Sequence, residues 1–208
     1  MPETTGAIIE AAVTALKRSE VIVFPTETLY GLGADALDAE AVDAVFRLKG
    51  RDPNTPIPVL VADLAMLGQL VDTIPPLARQ VIERFWPGPL TLVLPARTNV
   101  PKPLLNSAGG LGIRVSSQPI ARRLVEALGR PLTATSANPS GAEPARTLLE
   151  AKNYFNANVN TFIDGGTLIS RTGSTVVEVQ GERLKVIREG DIAAAALEQV
   201  LGKEKLLR

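Results

Sequence analysis

Four short stretches of this 208-residue chain put cations, hydroxyls and amides where a core-forming pattern has no use for them. The first is Pro25-Thr26-Glu27-Thr28-Leu29-Tyr30-Gly31-Leu32-Gly33, which leaves the apolar run Val21-Ile22-Val23-Phe24 with three hydroxyls and two glycines. Ligands in open α/β sheets bind beyond the C-terminal ends of strands, so a ligand loop and a structural turn are both open here. The second is Lys49-Gly50-Arg51-Asp52-Pro53. Lys49 follows Phe46 by three residues and Val42 by seven, which sets it on the apolar stripe of a helix. A cation there is costly unless an anion meets it. The alternative is a lysine serving the negative end of the helix before a glycine stop. The third, Gly112-Ile113-Arg114-Val115-Ser116, turns Arg114 away from Ile113 and Val115 on a central strand. Such an arginine pairs with an internal acid or clamps a carboxylate or phosphate. The fourth, Thr133-Ala134-Thr135-Ser136-Ala137-Asn138-Pro139-Ser140-Gly141, ends a short strand in more hydroxyls than a turn bonding its own backbone needs.

Two absences narrow the chemistry. The chain has no Cys and no His. Disulfides, thiolate nucleophiles and zinc–sulfur or iron–sulfur sites are excluded, and so are the commonest general base and every Ser-His-Asp triad. Catalysis must use fixed charge, positioning and hydroxyls, or a carboxylate or lysine base. Neither G-x-x-x-x-G-K-[ST] nor G-x-G-x-x-G occurs. The 22 basic residues balance the 22 acidic ones, unlike a generic nucleic-acid binder. Yet no acid lies between Glu83 and Glu126, where Arg84, Arg97, Lys102, Arg114, Arg122 and Arg123 all fall. Most of these six read as solvated surface; together they also offer a positive field for an anion.

The elements that must position these stretches follow from periodicity. With 45 % apolar and 21 % charged residues, composition and length suit one α/β domain over 1–208. Helices are expected over 6–18, 39–49, 63–71, 75–85, 118–128, 147–156 and 191–202, and strands over 21–24, 57–62, 90–95, 112–116, 132–135, 161–164, 175–179 and 183–188. Residues 25–33 read as a loop. Ser117 is expected to cap the 118–128 helix, with Pro119 in its first turn and Gly129 at its end. Alternation of strands and helices, with strands clustered late, predicts a mixed, largely covered sheet. From about 191 the chain reads as a helix and a charged tail. No signal pattern or membrane-length apolar run occurs, so a cytoplasmic location without membrane contact is expected.

Taken in order, PTETLYGLG at 25–33, KGR at 49–51, WPGPLT at 86–91, GIRVS at 112–116, TSANPSG at 135–141, GSTVV at 173–177 and IREG at 187–190 resemble the YrdC/TsaC family of threonylcarbamoyl-AMP synthases. The resemblance implies a twisted, mixed α/β sheet with helices on its faces and a concave positive cleft. It implies synthesis of threonylcarbamoyl-AMP from L-threonine, bicarbonate and ATP, with Mg²⁺ carried by the ATP phosphates and no protein metal ligand. The product would feed downstream tRNA threonylcarbamoyl-transfer proteins. The family's Lys-x-Arg and Ser-x-Asn signature maps onto Lys49, Arg51, Ser136 and Asn138 as catalytic residues. Thr26, Arg114 and Ser174 match threonine contacts; Lys49, Arg51, Ser136 and Arg188 match nucleotide contacts. Asp52 stands between Arg51 and Pro53 where the family usually has the proline directly after the arginine. The length resembles the short form that lacks an extra C-terminal domain.

Two other functions compete. A tRNA- or double-stranded-RNA-binding module without catalysis is favoured by the acid-free stretch. It is opposed by zero net charge and by few aromatics for stacking: five Phe, two Tyr and one Trp. Weak tRNA contact is also compatible with catalysis. A carbamoyl-transfer domain of the hydrogenase-maturation type resembles the same family, but those proteins carry cysteine-rich zinc motifs that this chain lacks.

Overall fold

The apolar run after Glu20 forms β1 (Ile22–Pro25), which turns back into β2 (Tyr30–Gly33) with Ile22 opposite Gly33. Every residue of both strands is buried. The expected loop at 25–33 is therefore a tight turn followed by a strand. Packing is the reason: the Phe24 ring lies over the two glycines, and a Cβ on Gly33 would stand 2.8 Å from Phe24 Cε1. Glycine marks a close approach here rather than a loop.

A computed structural model describes residues 3–207. It has two mixed sheets where one was expected. β2 also pairs antiparallel with β7 (Thr135–Ser136), and β1 pairs parallel with β8 (Thr161–Phe162), giving the order β7-β2-β1-β8. The second sheet runs β11-β10-β9-β4-β5-β3-β6. Its strands are β3 (Val59–Leu60), β4 (Leu90–Pro95), β5 (Gly110–Arg114), β6 (Leu132–Thr133), β9 (Thr175–Gln180), β10 (Arg183–Arg188) and β11 (Leu206–Leu207). The expected 132–135 strand thus divides between the sheets, with only Ala134 separating β6 from β7. The expected charged tail ends in β11, which adds a parallel edge to β10 with Leu184 opposite Leu206.

Seven helices, α1 (Glu3–Leu16), α2 (Ala39–Lys49), α3 (Leu64–Leu67), α4 (Pro76–Phe85), α5 (Pro119–Leu128), α6 (Leu148–Phe155) and α7 (Ala194–Leu201), are formed by the described residues. In α2 the Asp38 side chain accepts from the Glu40 and Ala41 amides, and Gly50 ends the helix at φ 58°. Its buried stripe is Val42, Val45, Phe46 and Lys49, as the spacing predicts. α5 starts and stops where expected, but its cap is Gln118, not Ser117. Pro119 holds the residue before it extended, and the Gln118 side chain accepts from the Ile120 amide. Thr147 and Glu150 close a capping box on α6. One contiguous apolar core, with Phe24, Tyr30, Leu32, Leu90 and Leu92 fully enclosed, serves both sheets. Among the described residues no helix is long and apolar enough to cross a membrane.

Candidate active site

A cleft of about 180 Å³ takes one wall from each sheet. The four-stranded sheet contributes Thr26, Thr28 and Tyr30 from the β1–β2 hairpin and Thr135 and Ser136 from β7; the seven-stranded sheet contributes Arg114 from β5 and Arg188 from β10. Arg51, Arg171, Thr172 and Ser174 complete the polar lining. Four arginines and no acid line this space, an arrangement suited to a polyanion.

Each expected site residue has a traceable position. Thr26 Oγ1 accepts from the Thr28 and Leu29 amides and donates to the Leu29 carbonyl, so the hairpin turn is built around this hydroxyl. Arg51 gives Nε to the Thr55 carbonyl at 2.8 Å and Nη2 to the Pro56 carbonyl at 3.1 Å. Asp52 reaches the Asn54 amide and side chain, which shapes the turn that the extra residue before Pro53 requires. Arg188 gives Nη2 to the Ser174 carbonyl at 2.8 Å. Ser174 also receives the Thr91 hydroxyl at 2.9 Å.

Arg114 takes the first of its two readings, pairing with an internal acid. It is 5 % exposed and donates from Nη1 to Glu27 at 3.0 Å and to the Thr28 hydroxyl at 3.5 Å. The Ser116 hydroxyl donates to the other Glu27 oxygen. Among the described residues its hydrogen bonds run from Nη1 alone, so the other edge of the guanidinium is left to the cleft.

Lys49 and Asn138 lie beneath the cleft rather than in its lining. Lys49 is 2 % exposed, and its ammonium donates to the carbonyls of Ser136 at 2.5 Å and Asn138 at 2.7 Å. Its own carbonyl accepts from the Ser140 amide. The buried cation anticipated from the helix stripe is thus met by backbone oxygens, and it staples the 136–140 loop to the end of α2. Asn138 Nδ2 donates to the carbonyls of Pro139 and Ala142, while its buried Oδ1 has no partner.

The cations sense one another in series. Burial and then Arg51 push Lys49 down to about 7. Burial and then Arg188 lower Arg51; burial and then Arg114 lower Arg188. Burial lowers Arg114 too, against the opposing pull of Glu27 and Asp191. Desolvation disfavours each charge and like neighbours add to it, a tension that a bound polyanion relieves.

Glu27, Arg171 and Asp191 belong to this region and carried no role from spacing. An acid flanked by two threonines after a buried strand was the available signal for Glu27. Arg171 and Asp191 sit in irregular chain where periodicity gives no direction.

Fold and site together define a mixed α/β protein with a cationic, hydroxyl-lined cleft at the junction of two sheets. A family model described as "Telomere recombination" (Sua5/YciO/YrdC) matches residues 14–190, and the chain belongs to that family. The threonylcarbamoyl-AMP synthase of Halorhodospira halophila is 34 % identical over 79 % of this chain and 86 % of its own. That of Bacillus subtilis is 35 % identical over 96 % of this chain and 58 % of its own length. Pyrococcus abyssi Sua5 complexed with L-threonine superposes with a TM-score of 0.91 at 34 % identity, over 95 % of this chain and 58 % of that one. The chain therefore spans little more than half of the longer relatives.

Proposed function

We infer that this chain is a threonylcarbamoyl-AMP synthase, acting as a single catalytic domain. The reaction is L-threonine + bicarbonate + ATP → threonylcarbamoyl-AMP + pyrophosphate + water. A carbamate oxygen attacks the α-phosphorus. The new O–P bond forms as the bond to the β-bridging oxygen breaks, and its electron pair leaves with pyrophosphate. The nucleophile is already an anion, so this step needs no histidine base. What it needs is cancellation of repulsion between two anions, which fixed cations supply. The observation that carries the reading is the acid-free cleft lined by four arginines.

Arg51 and Arg188 would hold phosphate oxygens, with Lys49 adding charge from beneath and fixing Ser136. Arg114 would grip the threonine carboxylate. Thr26 would act by shaping the hairpin turn that lines the threonine end, while Ser136 and Ser174 offer partners for neutral oxygens and for the threonine hydroxyl, and a site that bonds this hydroxyl rejects valine. Asn138 holds the loop that presents Ser136. A neighbouring cavity of about 150 Å³ shares Arg51, Pro58 and Arg188 with the cleft and adds Ile57, Val93 and Val176, an apolar seat for the nucleoside. With no acid in the cleft lining, Mg²⁺ would arrive on the ATP phosphates and supply further charge neutralisation there. The product would be consumed in tRNA adenosine modification.

The test is mass spectrometry of the product formed with ATP, Mg²⁺, bicarbonate and each amino acid in turn. Threonylcarbamoyl-AMP is expected with threonine, and Arg51→Ala should lower its formation by about 10²–10³-fold while folding normally. Absence of the adenylate from the wild-type reaction, or near-normal turnover by Arg51→Ala, would sink the assignment.

A further inference from the structure

The cleft continues past Leu29, Pro144 and Arg171 into a second depression of about 300 Å³, lined also by Glu143 and Arg146. This depression shares no residue with the apolar cavity beside Arg51 and Arg188. The cleft thus has two mouths, one where Arg51 and Arg188 meet apolar side chains and one where Arg146 and Arg171 stand with Glu143.

Arg171 differs from the other cleft arginines. Arg51, Arg114 and Arg188 are each committed to an acceptor within the protein. Arg171 is exposed and has no hydrogen bond or ion pair among the described residues. Its two neighbours are nevertheless tied down. Ser170 Oγ and Thr172 Oγ1 donate to the same Asp191 oxygen, at 2.7 and 2.6 Å. The Gly173 amide donates to Ser170 Oγ at 3.2 Å. The backbone around Arg171 is therefore held in place while its guanidinium, with five donors, stays uncommitted at the lip of an anion cleft.

We propose that Arg171, with Arg146 beyond it, binds the β- and γ-phosphates of ATP and then the departing pyrophosphate. The inference rests on the adenylation reading above. With the nucleoside in the apolar mouth and the α-phosphate between Arg51 and Arg188, the rest of the triphosphate runs toward the opposite mouth. Breaking the bond to the β-bridging oxygen moves a full negative charge onto the leaving group. A cation placed there therefore gains attraction as the reaction proceeds. Its exposure keeps the gain moderate and sensitive to salt.

The experiment compares wild type, Arg171→Ala and Arg171→Lys by steady-state kinetics and by product inhibition with pyrophosphate. In Arg171→Ala the KM for ATP and the inhibition constant for pyrophosphate should both rise roughly tenfold, with the threonine KM within about twofold of wild type. Arg171→Lys should recover part of both losses, because a point charge without the planar fork still attracts phosphate. An unchanged pyrophosphate constant, or an equal rise in the threonine KM, overturns the proposal. Direct calorimetric binding of pyrophosphate to wild type and Arg171→Ala separates it from the adenylation reading. If the wild type makes no adenylate, that reading fails, while equal pyrophosphate affinities for the two proteins would still refute the role of Arg171.

Discussion

Removal of the Glu27 carboxylate tests how Arg114 is held in the cleft. The Arg114 side chain is 6 % exposed, the Glu27 side chain is 13 % exposed, and they stand 3.0 Å apart. Coulomb's law at that distance with an effective dielectric of 20 gives an attraction of about 5 kcal/mol. Desolvation of both groups offsets much of this in the intact pair. Deleting one partner leaves the other charge buried and uncompensated, which costs about 3–5 kcal/mol. Glu27→Ala should therefore lower the unfolding free energy by about 3 kcal/mol in urea titrations, and Glu27→Gln, which keeps an acceptor, by about half as much. The decisive readout is threonine. Its carboxylate would replace the missing charge on Arg114, so threonine should raise the unfolding midpoint more in Glu27→Ala than in wild type. A loss below about 1 kcal/mol, the range of an exposed pair, would refute the claim that Glu27 balances Arg114. A threonine shift no larger than in wild type would refute the claim that the substrate carboxylate docks on the same guanidinium.

Two further outcomes follow from other parts of the site. Lys49 has a folded value of about 7 against an ordinary 10.5, so the unfolded chain binds the proton more tightly. Stability should consequently rise with pH from about 7 to 10.5 and be level below, and the rise should be absent in Lys49→Met; urea midpoints across that window showing equal slopes would overturn the burial argument. A Cβ on Gly190 would fall 2.4 Å from the Gly173 carbonyl oxygen and 2.5 Å from the Ser174 carbonyl carbon. Because backbone must move to relieve it, Gly190→Ala should cost about 1–3 kcal/mol and raise the threonine KM through displaced Ser174, whereas wild-type stability and KM would show that the contact relaxes freely.

The parts of this fold that sequence revealed are those fixed locally. α2 and α5 announce themselves by a 3.6-residue stripe and a terminal glycine, and the β4 span coincides with its apolar run. Two elements escaped the sequence pattern. β2 looks like a loop because Gly31 and Gly33, read as turn residues, in fact make room for the Phe24 ring across the hairpin. β11 exists because Leu206 finds Leu184 on an open edge. The same division runs through the site. The position of Lys49 on a buried stripe follows from the helix period, but its acceptors lie 87 and 89 residues away. Arg114 could be recognised as a buried cation, whereas its choice of Glu27 depends on two sheets meeting.

The single residue between β6 and β7 sets a limit on how this protein can vary. Thr133 belongs to one sheet and Thr135 to the other, while the Ala134 amide donates to the Pro58 carbonyl at 2.9 Å. A connection this short works as a fixed spacer: it carries no slack through which the two halves of the cleft could drift apart. Insertions at exposed turns change local shape and little else. One added residue here would reverse the side to which Ser136 points, because a strand alternates its side chains with every step. The width of the cleft between the two sheets is thereby written into the length of a two-sheet crossing.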